Sequence, residues 1–224
     1  MKVLIGILAH QLQSEVLRRV HTQDWDDPDG YHVLTLWGGD MQPWENRFQA
    51  ITRKYQRLQR LFLAGGYDAL LTVEQDVYIP PDTLTRLGRL IQDGADVAYG
   101  LYVWRYMGWH YWNAHPKLEL HGADFHYWSL AHAPGEARRL WGQLVGVAGL
   151  GFGCTLLPRH TLARIGLRQA TLTSCCDTAL ALDCQAEGLV QVCDTGVVCG
   201  HQLDDGRLIW PDPETEELYR IEET

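Results

Sequence analysis

Two carboxylates separated by a single residue, Glu74 and Asp76 in the stretch DALLTVEQDVYIPPDTL, close an apolar run. Alternate side chains of an extended segment share a face, so Glu74 and Asp76 point one way and Gln75 the other. Two negative charges that close repel unless something positive lies between them, and a divalent cation carrying a phosphate is the common solution. Three later positions add chemistry. The run GLGFG, Gly149 to Gly153, is a flexible loop near a ligand or a plain turn. Asp177 opens a predicted helix, CDTALALDCQAEG, where backbone N–H groups favour an ionised carboxylate; it suits a general base or, like Ser174, a cap. Asp183 in the same helix reads as a surface or salt-bridging acid. His201 follows an apolar strand, VVCGH, where a lone histidine is more often structural than a ligand.

The elements that must hold these residues alternate along the chain. KVLIGILA and YHVLTLW read as buried strands flanking the helical QSEVLRRVHTQ, a β-α-β opening. From Trp44 to Ala64, apolar residues recur at steps of three and four, Gly65-Gly66 stops the helix, and the other face is basic. The strand ending at Glu74 is followed by a proline-opened helix, the strand ADVAYGLYVW, and later GCTLLP, RHTLARIG, a helix from Cys176 and the strand VQVCD. This alternation predicts a single α/β domain, Rossmann-like, with a mostly parallel sheet flanked by helices. Ligands bind such sheets beyond the carboxyl ends of strands, where Glu74 and Asp76 lie.

Composition narrows the class. The 224 residues, 46% hydrophobic, suffice for a full core. We expect neither a signal peptide nor a membrane span, and six cysteines without a Cys-x-x-Cys pair read as reduced thiols of a cytoplasmic protein. Residues 202–224 hold eight acids against Arg207 and Arg220, a local charge of −6 out of −9 overall, and read as a solvated acidic tail. No basic footprint points to nucleic acid. A phosphate-binding Gly-x-x-x-x-Gly-Lys-Ser/Thr is absent, and AHQLQSE stands where a dinucleotide fold places its glycines. Residues 99–132 hold five of ten histidines, five of ten tyrosines and four of nine tryptophans. These rings either pack over the sheet or present a stacking surface for a sugar.

Taken in order, the motif Glu74-Gln75-Asp76, the glycine loop, Asp177 with Gly188 eleven residues on, and His201 after a strand resemble the nucleotide-sugar glycosyltransferases of the GT-A fold. The pattern is closest to family-2-like bacterial or phage enzymes. The resemblance covers about residues 1–201, with an aromatic and histidine-rich insertion at about 103–135, and leaves 202–224 outside. Two departures stand out: Glu74 in place of the first Asp, and Cys176 in place of the Glu of the family's Glu-Asp. It implies a UDP- or GDP-sugar donor bound through Glu74, Gln75 and Asp76, and Mn²⁺ or Mg²⁺ held by Asp76 and His201. Asp177 is then the base of an inverting transfer to a hydroxyl acceptor, itself a carbohydrate, and the acceptor side lies near Gly151, Phe152, Trp109 and Trp112. A nucleotidyltransferase making nucleotide sugars, or a non-catalytic carbohydrate- or nucleotide-sugar-binding subunit of the same fold, are the alternatives.

Overall fold

The computed structural model describes residues 1–9, 13–38, 41–106, 109–121 and 124–223. The first apolar run forms β1 (Val3–Ala9), followed by α1 (Ser14–His21), β2 (Tyr31–Trp37) and α2 (Arg47–Ala64). A capping box starts α2: Asn46 Oδ1 accepts from the Gln49 N–H at 2.9 Å while Gln49 Oε1 accepts from the Asn46 N–H at 2.8 Å. Next come β3 (Ala69–Glu74), β4 (Val77–Tyr78), α3 (Thr83–Gln92) and β5 (Val97–Leu101). Two hairpins follow, β6 (Val103–Tyr106) with β7 (Trp109–Trp112) and β8 (Lys117–His121) with β9 (Asp124–Trp128). The chain continues through α4 (Pro134–Leu140), β10 (Leu144–Gly146), β11 (Cys154–Pro158), α5 (Arg159–Arg164), α6 (Cys176–Ala186) and β12 (Gln191–Val198). It ends in β13 (Gly200–Gln202), β14 (Leu208–Pro211) and β15 (Tyr219–Glu222).

Seven strands form the central sheet in the order β10-β12-β5-β11-β3-β1-β2. It is mixed, not the mostly parallel sheet expected. Pairings β12–β5, β3–β1 and β1–β2 are parallel, and β10–β12, β5–β11 and β11–β3 are antiparallel. The remaining described ladders are antiparallel as well. The expectation failed at β11, buried at all five positions. A strand covered on both faces is a continuous apolar run whichever way it points, so its sequence carries no direction.

Side-chain alternation along the sheet builds two cores. Leu4, Leu70, Tyr99 and Leu157 meet Tyr55, Leu58 and Phe62 of α2 and Leu180 of α6 on one face. Ile5, Leu71, Ala98 and Leu156 meet Val16 and Val20 of α1 and Leu84 and Leu87 of α3 on the other. Helix α2 comes close enough to β1 that a Cβ on Gly6 would lie 2.5 Å from Leu58 Cδ2, so a larger residue there would displace the Leu58 side chain. The chain is thus one mixed α/β domain of three layers. No described helix is long and apolar enough to cross a membrane.

Residues expected to form a solvated tail instead build sheet. Strands β13, β14 and β15 join β4 in the order β15-β14-β13-β4. Ile209 and Leu218 are buried, and the carbonyl of Leu218 accepts from Trp112 Nε1 at 2.7 Å and from the Asp212 N–H at 2.9 Å. The acids of this segment mostly lie on its outer side, which is why charge alone suggested a solvated end.

Candidate functional site at the carboxyl edge of the sheet

Glu74 is the last residue of β3, level with Leu8 of β1, and its N–H donates to the Gly153 carbonyl at 3.3 Å. The glycine loop therefore sits beside the acidic turn. The chain turns at Gln75-Asp76 into β4, which pairs with β13 so that Val77 faces His201. That bridge brings together residues 125 positions apart: His201 Nε2 lies 3.5 Å from Asp76 Oδ2. The other ring nitrogen, Nδ1, is 2.8 Å from the Val103 carbonyl, which can only accept, so Nδ1 carries the hydrogen. Burial pushes the His201 pKa down, but the neighbouring Asp76 carboxylate outweighs it and the net shift is upward.

Glu74 behaves differently from a surface acid. Burial, then the carboxylates of Asp76 and Asp177, push its pKa up to about 8, with His201 opposing. Glu74 therefore holds a proton at neutral pH, and the pair of like charges expected from sequence is relieved by protonation. A polar groove of about 300 Å³, bordered by Gln13, Gln75, Asp76, Gln202 and Asp204, opens beside Asp76. A second hollow of about 360 Å³ is lined by the ion pairs Arg164–Glu187 and Arg168–Asp183 and by none of the candidate residues.

Asp177 stands in the first turn of α6, with Cys175 at the N-cap, so it is not the cap. Its Oδ1 accepts from the Thr178 N–H at 2.6 Å. The expected preference for the ionised form is reversed: burial raises the Asp177 pKa by more than the hydrogen bonds from Thr178 lower it. Asp177, Glu74 and Tyr55 act on one another electrostatically, which places the base candidate within the same site as the acidic turn.

The acceptor-side expectations divide. Gly151 borders Asp177, with Asp177 Oδ2 3.2 Å from where its Cβ would be. Phe152 is buried with its ring 4.7 Å from that of Tyr55, and Trp112 is buried with its indole bonded to Leu218 and packed on Trp141, so both are packing groups. The side chain of Trp109 lies outside the described residues. Elsewhere in the insertion, rings mostly pack on each other: Trp104 is 5.3 Å from Tyr111 and 5.6 Å from Tyr127, and His115 is 5.0 Å from Tyr127. The exposed rings on the same edge of the sheet include Trp37, which ends β2, 58% exposed.

Sequence reading missed Tyr102 and Asn113. Tyr102 follows β5 as Gln75 follows β3, a position that the edge rule would have flagged. Its ring stands 5.7 Å from His201, nearly perpendicular, and its hydroxyl borders Gly151 and Gly153. It is thus the wall between the Asp76–His201 side and the Asp177 side. Asn113 hides among aromatic residues, and only its burial, 4% exposed, marks it.

No family model matches the chain, and no curated protein does. Among solved structures, the crystal structure of A197 from STIV matches over 100% of this chain and 95% of that chain, with a TM-score of 0.63 and 15% identity. The two share a fold. The architecture is populous, with 171 solved chains matching, so the fold by itself selects no activity and the site must carry the functional argument.

Proposed function

We propose that the chain is a metal-dependent glycosyltransferase of the GT-A type, with the strands of residues 202–224 part of the same domain. It moves a sugar from a UDP- or GDP-sugar to a hydroxyl acceptor, itself a carbohydrate. The observation that carries this reading is the pair Asp76–His201. With Nδ1–H held by Val103, His201 Nε2 is the ring nitrogen that faces the Asp76 carboxylate, 3.5 Å away, and that carboxylate favours positive charge beside it. Two electron-rich atoms facing each other are stable only with a proton or a cation between them. The donor set, one carboxylate oxygen and one imidazole nitrogen, suits Mn²⁺ over the oxygen-preferring Mg²⁺. Among the described residues no group of three or more His, Cys, Asp or Glu side chains is arranged to hold a metal. Two protein ligands are enough where a diphosphate supplies the others.

When bound, such an ion would neutralise the departing diphosphate. The chain's own residues do the rest. Gln75 and the groove beside Asp76 offer polar partners to the nucleotide. Glu74, beside Asp76 at the end of β3, offers its carboxyl to the ribose or, through water, to the ion. Asp177 Oδ2 takes the acceptor proton; its raised pKa makes it a stronger base than a surface aspartate while leaving it available above its titration range. A base on the acceptor side implies inversion at the anomeric carbon. The six unpaired cysteines suit a reducing cytoplasm.

Titration calorimetry with UDP and with GDP, each with and without Mn²⁺, tests the reading. We expect binding of one nucleotide that tightens at least tenfold with the metal. Equal affinity in EDTA would remove the metal from the account.

A further inference from the structure

Helix α2 concentrates positive charge in an acidic chain. Residues 46–67 hold Arg47, Arg53, Lys54, Arg57 and Arg60 and no acid, although the chain carries a net charge of −9, so the remainder is more acidic still. Arg53, Arg57 and Arg60 follow at steps of four and three and share one side of the helix, turned away from the Leu58 and Phe62 stripe that packs on the sheet. Lys54 is buried. Arg47, Arg57 and Arg60 are exposed, and among the described residues none of these three has an ion-pair partner.

An apolar turn is fixed at the start of this face. Gln42, Pro43, Trp44 and Glu45 form a turn in which the Glu45 N–H donates to the Gln42 carbonyl at 2.9 Å. Glu45 Oε2 accepts from the Gln42 N–H at 2.9 Å, and the same carboxylate accepts from Nε (2.8 Å) and Nη2 (2.9 Å) of Arg53. That fork pins the turn to the side of α2 that holds the arginines. Trp44 in the turn is 77% exposed and Met41 before it 57%. Leu172, 71% exposed, is tied to the same helix start, its carbonyl accepting from Asn46 Nδ2 at 2.8 Å. Large apolar groups held out in water by polar clamps leave free energy that a covering partner recovers.

Phosphate for the guanidinium groups and hydrocarbon for Trp44, Met41 and Leu172 occur side by side at the surface of an anionic lipid bilayer. We propose that this face docks the chain on an anionic membrane. Helix α2 lies along the surface, with Arg47, Arg57 and Arg60 at the lipid phosphates and Trp44, Met41 and Leu172 in the headgroup boundary. Charge sets the orientation: such a surface repels the acidic remainder of the chain, so the basic face turns towards it. A nucleic acid would satisfy the arginines and could stack on Trp44, but it has no hydrocarbon to cover Met41 and Leu172. Docking of this kind is independent of the Asp76–His201 site and of what that site transfers.

Flotation of the full chain with lipid vesicles tests the docking. Vesicles of phosphatidylcholine with about one third phosphatidylglycerol should bind it at least about tenfold more tightly than phosphatidylcholine alone. That binding should be lost as NaCl rises from about 0.05 M to about 0.5 M, where screening leaves only charges a few ångströms apart in contact. Each arginine contributes about fivefold at such a surface, so Arg57→Gln with Arg60→Gln should weaken binding at least about tenfold. Trp44→Ala should weaken it by at least about fivefold. All three positions are exposed, so the variants should melt like the parent. No binding of the parent to the anionic vesicles overturns the proposal, and so does equal binding by the folded double variant. A single-stranded RNA oligonucleotide added as competitor should leave the chain on the vesicles; RNA that strips it off assigns the face to nucleic acid and overturns docking on lipid.

Discussion

His201 meets Asp76 because a two-residue strand, β4, pairs with β13 immediately after the acidic turn, leaving Nε2 3.5 Å from Asp76 Oδ2. The backbone N–H of Gln202 donates to the Asp76 carbonyl at 2.8 Å, so the junction is locked on both sides of His201. The relationship is long-range in sequence and built on backbone pairing, which makes it robust to side-chain changes at the site itself.

Substituting the pair should therefore remove ligand binding without unfolding the protein. At roughly a hundredfold excess of ligand over Kd, binding adds about 2.7 kcal/mol to stability. In a chain of this size that raises Tm by roughly 5–10 °C. In melting curves with Mn²⁺ and the preferred nucleoside diphosphate, Asp76→Asn should lose that rise while melting like the parent without ligand. His201→Ala should retain part of it, since water can replace one neutral ligand. A full rise in Asp76→Asn would show that the metal sits elsewhere.

His115 gives the fold a pH dependence with a definite sign. Burial pushes its pKa down to about 4, below the ordinary histidine value near 6.5. A group whose folded pKa is depressed contributes stability that is present above the unfolded pKa and lost as pH falls towards the folded one. The His115 contribution should thus fade between about pH 6.5 and pH 4, by up to tenfold in the folding equilibrium per pH unit. Urea unfolding at a series of pH values should show a shallower loss over that window in His115→Gln; an identical slope would mean that His115 is protonated in the folded protein.

Trp112 tests whether the aromatic insertion is packing. Its buried indole donates to the Leu218 carbonyl, and Leu218 itself adopts a left-handed φ of 64°. Trp112→Phe leaves that carbonyl with one partner fewer and should cost about 1–3 kcal/mol. Trp112→Ala should cost about 3–5 kcal/mol. A variant that unfolds like the parent in urea would return Trp112 to the ligand-facing surface.

Asp177→Asn separates chemistry from binding. The amide can still accept from the Thr178 N–H, so the start of α6 should hold, and donor affinity should stay within about twofold. Turnover should fall about a hundredfold or more, the scale of a lost general base. Turnover equal to the parent would point to a base elsewhere. Asp183 is already engaged by Arg168 at 2.5 Å, which makes it a poor replacement.

What the sequence made legible was local. Apolar runs located β1 and β3, the three-to-four spacing located α2, the stretch from Cys176 located α6, and the capping pair Asn46–Gln49 sits where α2 begins. The edge rule took Glu74 and Asp76 to the carboxyl end of a strand. Relationships between distant segments were not legible. The antiparallel insertion of β11 and the pairing of β4 with β13 are choices of partner, and an apolar run names no partner. Tyr102 and Asn113 were missed for a related reason. Each looks ordinary in its own segment, and only the fold stacks them beside Gly151 and Asp177. The acidic run from 202 misled because charge reports the exposed side of a strand and says little about Ile209 and Leu218 beneath it.

The central claim is that this site transfers a sugar, and release of nucleoside diphosphate is its direct readout. Purified protein incubated with a panel of UDP- and GDP-sugars, with and without Mn²⁺, can be followed by mass spectrometry for the free diphosphate and the new glycoside. The account predicts turnover with one donor class, dependent on Mn²⁺ and lost in Asp76→Asn. Donor binding with no diphosphate released from any member of the panel, with carbohydrate acceptors present, would contradict it and leave a binding protein built on the same fold.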